Sequence, residues 1–163
     1  MAPADLHGVM AVADVVHPAF PERVEVFAEK LALFPAGCLV LAEANAGVIG
    51  YAVSHPWPAL SIPPLDDFLG SLPAPEANRY IHDVALLPAA RGHGAASAAV
   101  ARLLAGAASA GARTASLVSV YGSAPFWRRH GFRDATPGML PPEQAGKLPR
   151  VYGAEAVFMQ RAL

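Results

Sequence analysis

The chain has 163 residues, of which 54% are hydrophobic and 15% charged, and its formal net charge is -1. That is the length of one ordinary domain with ample apolar material for a core, which excludes a disordered chain. The scattered, balanced charge leaves no basic footprint for nucleic acid.

The single cysteine excludes an internal disulfide and a cysteine-based metal cluster; in "GCLVLAE", Cys38 reads as a small buried apolar residue. The N-terminus has no basic run, and no apolar stretch reaches the length of a membrane span. The expectation is one soluble, cytoplasmic domain over residues 1–163, touching neither membrane nor nucleic acid.

In chain order, "ADLHGVMAVADVV" places Leu6, Val9, Met10 and Ala13 at helical spacing behind Asp5, a candidate N-cap. "PERVEVFAEKLALF" predicts a second helix with Pro21 in its first turn and Val24, Phe27, Leu31 and Phe34 along one face. The period then changes, and residues 38–43 and 48–55 read as two strands joined by a tight Ala-Asn-Ala-Gly turn. Residues 58–79 carry five prolines and predict a long irregular segment.

"RYIHDVALLP" is a strong strand stopped by Pro88, and Gly94 to Ala110 predicts a helix with Val100, Leu103 and Leu104 facing the core. "TASLVSV" is a further strand, "SAPFWRRHGF" a short helix, and "AEAVFMQRAL" a last strand. The alternation predicts an α/β layer with a mixed sheet.

Between the strand and the long helix lies "PAARGHGAAS". The first amides of a helix have no internal partner and point outward at the positive end of its dipole. Glycines at 92 and 94, with alanines at 95 and 96, keep side chains away from those amides, so the turn is a candidate pyrophosphate cradle. A P-loop is excluded because no Gly-Lys-Ser/Thr follows, and a dinucleotide fingerprint fits poorly because position 97 is Ser and the next strand ends without an acid.

Arg91-x-x-Gly94-x-Ala96 resembles the Arg/Gln-x-x-Gly-x-Gly/Ala signature of the GCN5-related N-acetyltransferases (GNAT). "IHDVALLPAARGHGAA" is similar to that family's fourth strand and pyrophosphate loop. "YGSAPFWRRHGF", some thirty residues on, resembles its Ala-x-x-Phe-Tyr-x-x-x-Gly-Phe element. The resemblance covers roughly residues 38–132. It implies a largely antiparallel mixed central sheet with splayed fourth and fifth strands and helices on both faces.

It also implies acetyl-CoA as co-substrate, no metal, and an amine acceptor that is a small molecule or a peptide N-terminus. By the same resemblance Val84, Ala85 and Leu86 hold the pantetheine and thioester, Arg91 and the amides of Gly92, His93, Gly94, Ala95, Ala96 and Ser97 surround the pyrophosphate, and Phe126 or Trp127 flanks CoA. Family habit and the apolar composition are compatible with a homodimer.

One departure bears on mechanism. Where the family often has a tyrosine as general acid this chain has Trp127, whose indole N–H is no useful acid. Tyr121 is the nearest replacement and Tyr80 a weaker one; a bound water is the third option. For the base, His82 is favoured over Asp83, because an imidazole with an ordinary pKa near 6.5 suits proton abstraction from an ammonium. Strand alternation sends the two to opposite faces, which leaves Asp83 to hold a loop or helix end. Glu43 and His55 are fallback bases. His17, Phe20, Trp57, Asp66, Asp67 and Tyr152 are candidates to line the acceptor site. The competing reading is a CoA-binding sensor or interaction module without turnover.

Overall fold

The computed structural model describes residues 1–136 and 138–163. The apolar periodicity at the start of the chain resolves into a short 3-10 turn at Pro3–Asp5 followed by α1 (Leu6–Val16), and then α2 (Val24–Leu33). Asp5 does not cap α1 with its side chain; its carboxylate accepts the Ala2 amide at 2.6 Å instead. Pro21 stays outside α2, which begins after Arg23 in an extended conformation.

β1 (Cys38–Glu43) and β2 (Gly47–Pro56) form the expected antiparallel hairpin, with a bulge between Leu41 and Ala42 and with Gly47 at φ 70 opening the second strand. β3 (Asn78–Leu86), α3 (Ala95–Ser109), β4 (Thr114–Ser119), α4 (Ala124–Arg129), β5 (Arg133–Asp134), α5 (Pro142–Tyr152) and β6 (Val157–Ala162) follow. Among the described residues the strands form a six-stranded sheet in the order β1-β2-β3-β4-β6-β5. Its β1–β2, β4–β6 and β5–β6 ladders are antiparallel, and β3–β4 is parallel. That parallel ladder comprises three pairs, Asn78–Thr114 to Tyr80–Ser116, at the beginning of each strand.

By its contacts the chain divides into two units. The first comprises Met1–His55, Pro64–Leu72 and Ile81–Leu103. Its core joins Val9, Val12 and Ala13 of α1, Phe27 and Leu31 of α2, and Cys38, Tyr51, Val53 and Ala85 of the strands. Burying each of the larger side chains stabilises the unit by about 2 kcal/mol. Residues of opposite parity in the strands, among them Leu39, Leu41, Val84 and Leu86, line a cavity of about 340 Å³ against Ala95 and Ala99 of α3. The strands of this unit are therefore covered by helices on both faces, as two-residue alternation demands.

The second unit comprises Pro56–Pro63, Pro73–Tyr80 and Leu104–Leu163. Ile62, Tyr80 and Phe158 form its buried cluster, with Trp57, Leu148 and Tyr152 packed against it. Asn78, the first residue of β3, donates to the Trp57 carbonyl at 3.1 Å and to the Ser116 hydroxyl of β4 at 3.0 Å.

Candidate functional site

The glycine turn is built by opposed backbone requirements. Pro88 ends β3's course and opens a 3-10 turn, Pro88–Ala90, after which Arg91 is extended. Gly92 and Gly94 then adopt φ 83 and 80, conformations that side-chain-bearing residues resist by about 1–2 kcal/mol. The Gly94 carbonyl accepts the Ala98 amide at 2.9 Å, the first bond of α3. A Cβ placed at either glycine would meet no atom within 4 Å, so the space before the helix is open. Leu86 to Ala110 contains no carboxylate, while Arg91 and Arg102 add positive charge. Arg91 is fastened by its Nε to the Leu86 carbonyl at 3.2 Å. An open helix N-terminus without nearby acid fits a diphosphate.

His82 and Asp83 end on different partners within the first unit. His82 Nε2 lies 2.8 Å from Glu22 Oε1, and the two side chains are 4% and 6% exposed, so water does not screen the pair. Glu22 Oε2 accepts from Lys30 Nζ at 3.4 Å and from the Asp66 amide at 3.2 Å. Burial pushes the Glu22 carboxyl upward, but the facing His82, its hydrogen bond and Lys30 outweigh it and hold the group at about 2. Burial pushes Lys30 down. The His55 ring stands 5.9 Å from that of His82.

Asp83 accepts a short hydrogen bond from the Tyr51 hydroxyl and pairs with His17 Nε2 at 2.8 Å. Burial lowers His17, yet the Asp83 hydrogen bond and charge leave it raised above its ordinary value. Burial and the Asp83 carboxylate push Tyr51 far up, so it stays a phenol that donates. His17 follows the last turn of α1, where a cation is favoured by the helix dipole. Asp83 thus fastens a helix end and a neighbouring strand.

The segment 64–72 is strapped to α2. Arg23 grips the Asp66 carboxylate through its amide at 2.7 Å and its Nε at 3.0 Å, and Glu29 accepts the Leu69 and Gly70 amides at 2.7 and 2.9 Å. The Asp66 carboxylate, a candidate attractor for a cationic acceptor, is therefore engaged by Arg23, and Asp67 accepts the Phe68 amide at 2.8 Å. Phe20 lies in the turn whose amide bonds the His17 carbonyl at 3.0 Å.

In the second unit Tyr121 follows β4 in a left-handed conformation, φ 53, and is 54% exposed. Trp127 is buried, its ring edge-on to Phe132 at 5.5 Å, and Phe126 is the more accessible of the two. Tyr80 is buried beside Phe158, and Trp57 and Tyr152 are partly buried in the same cluster. Glu43 is exposed at the end of β1.

Sequence reasoning did not single out Glu22, Lys30, Glu29 or Tyr51. Lys30 carried a signal: it shares the buried stripe of α2 with Val26, Phe27 and Leu31, and a lysine on such a stripe needs an anion. No group of three or more potential metal ligands occurs among the described residues.

Residues 10–132 match the model of the acetyltransferase (GNAT) family. A comparison with curated proteins yields no match. Among solved structures, the chain is similar to Ard1 from Thermoplasma volcanium, at 16% identity and a TM-score of 0.73, with 100% of this chain and 94% of that one covered. It is similar to Chaetomium thermophilum Naa20 in complex with a bisubstrate analogue, at 17% identity and 0.70, covering 100% and 84%. It is also similar to Rv2747 from Mycobacterium tuberculosis in complex with CoA and NLQ, at 17% and 0.67, covering 99% and 96%.

Proposed function

The chain belongs to the acetyltransferase (GNAT) family, and on that premise we propose that it transfers an acetyl group from acetyl-CoA to a primary amine, on a small molecule or a peptide N-terminus, by direct attack on the thioester. The observation that carries the reading is the acid-free glycine turn, whose two left-handed glycines leave the start of α3 open. Arg91 and the amides from Gly92 to Ser97 hold the pyrophosphate, and the backbone of Val84, Ala85 and Leu86 receives the pantetheine arm. Phe126 flanks the cofactor. Trp127 is buried with its ring edge-on to Phe132.

The co-substrate supplies an activated carbonyl. The amine lone pair attacks it, the C–N bond forms, the C–S bond breaks, and the thiolate leaves with a proton. His82, whose side chain is 4% exposed, takes the proton that frees the amine through a water that reaches its buried Nδ1. Tyr121, exposed beyond β4, gives one to the thiolate, and the second proton that the nitrogen loses as the amide forms restores the phenol. Asp83 acts structurally through Tyr51 and His17.

A CoA-binding module without turnover is favoured by one observation, the indole at position 127 where the family often has its acid. Calorimetric titration with acetyl-CoA, with a thiol-release assay over primary amines and short peptides, separates the two. Binding with turnover is expected. Binding without turnover across the panel would favour the module, and no binding would overturn both.

A further inference from the structure

We propose that Glu22 is a positioning residue: it fixes His82 as the Nε2–H tautomer, turns Nδ1 into the basic atom, and links that imidazole to the 64–72 strap. This rests on the reading of His82 as the base, and it assigns a role to a residue that lies sixty positions away in the chain.

Proton count fixes the tautomer. Glu22 Oε2 faces two donors, the Lys30 ammonium at 3.4 Å and the Asp66 amide at 3.2 Å. A carboxylate so surrounded is ionised, because the cation and donors that face it outweigh the burial that favours the neutral acid. An ionised carboxylate only accepts. The 2.8 Å contact between Oε1 and His82 Nε2 therefore requires the hydrogen on Nε2. A neutral imidazole has one protonated nitrogen, so Nδ1 carries the lone pair.

The same carboxylate explains Lys30. At 1% side-chain exposure an ammonium needs an anion, and Glu22 supplies it. Lys30 in turn fixes the carboxylate that fixes His82. The Asp66 amide brings the strap into the network, and Arg23 and Glu29 hold the strap at two further points. The orienting logic is that of a base held by a carboxylate, here with a lysine as the third member.

The experiment is a long-range nitrogen–proton NMR correlation on protein carrying 15N-histidine, at a pH where imidazoles are neutral, with His82→Ala to assign the signal. The wild-type His82 spectrum is expected to show the Nε2–H pattern; an Nδ1–H pattern overturns the proposal whether or not the protein is an enzyme. Glu22→Ala is expected to give mixed tautomers and a kcat at least tenfold lower at unchanged acetyl-CoA affinity. Wild-type kcat in that variant, with kcat lowered in His82→Ala, also overturns it.

The paired change Glu22→Gln with Lys30→Met keeps a carbonyl acceptor and removes the buried ammonium. It is expected to retain the Nε2–H pattern and a kcat within severalfold of wild type, and loss of the pattern there would count against the proposal. If instead His82→Ala turns over normally, the reading of His82 as base falls while the tautomer assignment stands.

Discussion

Acid should dismantle the Glu22 network before it reaches the apolar core, and the structure sets the size of the effect. Glu22 sits at about 2 in the folded protein against an ordinary value of 4.5. A depressed carboxylate contributes stability that is present above the ordinary value and lost as pH falls toward the folded one. The full difference corresponds to about 3 kcal/mol, of which about 2 kcal/mol is lost by pH 3.

Burial pushes Lys30 down while the facing Glu22 carboxylate pushes it up. Other carboxylates do respond, Asp66 among them, held low by Arg23 through its amide. The clean quantity is therefore a difference between two proteins. Urea unfolding of wild type and of the variant Glu22→Gln with Lys30→Met, followed by the fluorescence of Trp57 and Trp127, gives stability at pH 6 and pH 3. At pH 6 the variant is expected near wild type, because replacing both members of a buried pair removes a cost along with a gain. At pH 3 wild type should have lost about 2 kcal/mol more than the variant. Equal losses in the two proteins would show that Glu22 is not held ionised by its partners, and the proton count behind the His82 assignment would fail with it.

Gly94→Val should weaken acetyl-CoA binding at least tenfold by calorimetry while lowering unfolding stability by only about 1–2 kcal/mol, because the cost is backbone strain at φ 80 and the Cβ meets open space. A folded variant with normal binding would defeat the cradle. Tyr121→Phe, at a residue 54% exposed, should leave thermal unfolding nearly unchanged yet lower kcat at constant acetyl-CoA affinity; an unchanged kcat would assign the returning proton to water. Burial pushes the Cys38 thiol up to about 11. It should resist an aromatic disulfide reagent at pH 8 in the folded protein and react once urea unfolds it, and rapid reaction in the native state would contradict its burial.

The elements legible in the sequence are those whose signal is local. Cys38–Glu43 is an apolar run bounded by turn residues, Asn78–Leu86 is stopped by the Pro88 that follows it, and the Gly92–Gly94 turn announces itself by needing positive φ. α5 was not legible: Gly146 and Pro149 lie inside it, and both are poor residues for a helix interior. Tertiary contacts outweigh that propensity, since Lys147 donates to the Ile62 and Pro63 carbonyls at 2.7 and 3.1 Å and Gln144 accepts the Ile62 amide at 2.9 Å. Pro21 misled for the opposite reason, a residue suited to a first helical turn standing in the loop before one.

The site divides along the same line. The glycine turn is made of consecutive residues with their own backbone demands, so a sequence displays it. The side-chain network around β3 is made of groups that meet only after folding: Glu22 reaches His82 across sixty residues, and Tyr51 reaches Asp83 across thirty-two. His82 and Asp83 were visible as titratable groups on a strand, but their neighbours decide what each does. Asp83 bonds Tyr51 and His17 through its two oxygens, which gives it a structural task. His82 meets a carboxylate fixed by a buried lysine, which orients an imidazole. Strand alternation separates the two side chains; the partners waiting on either side give them different chemistry.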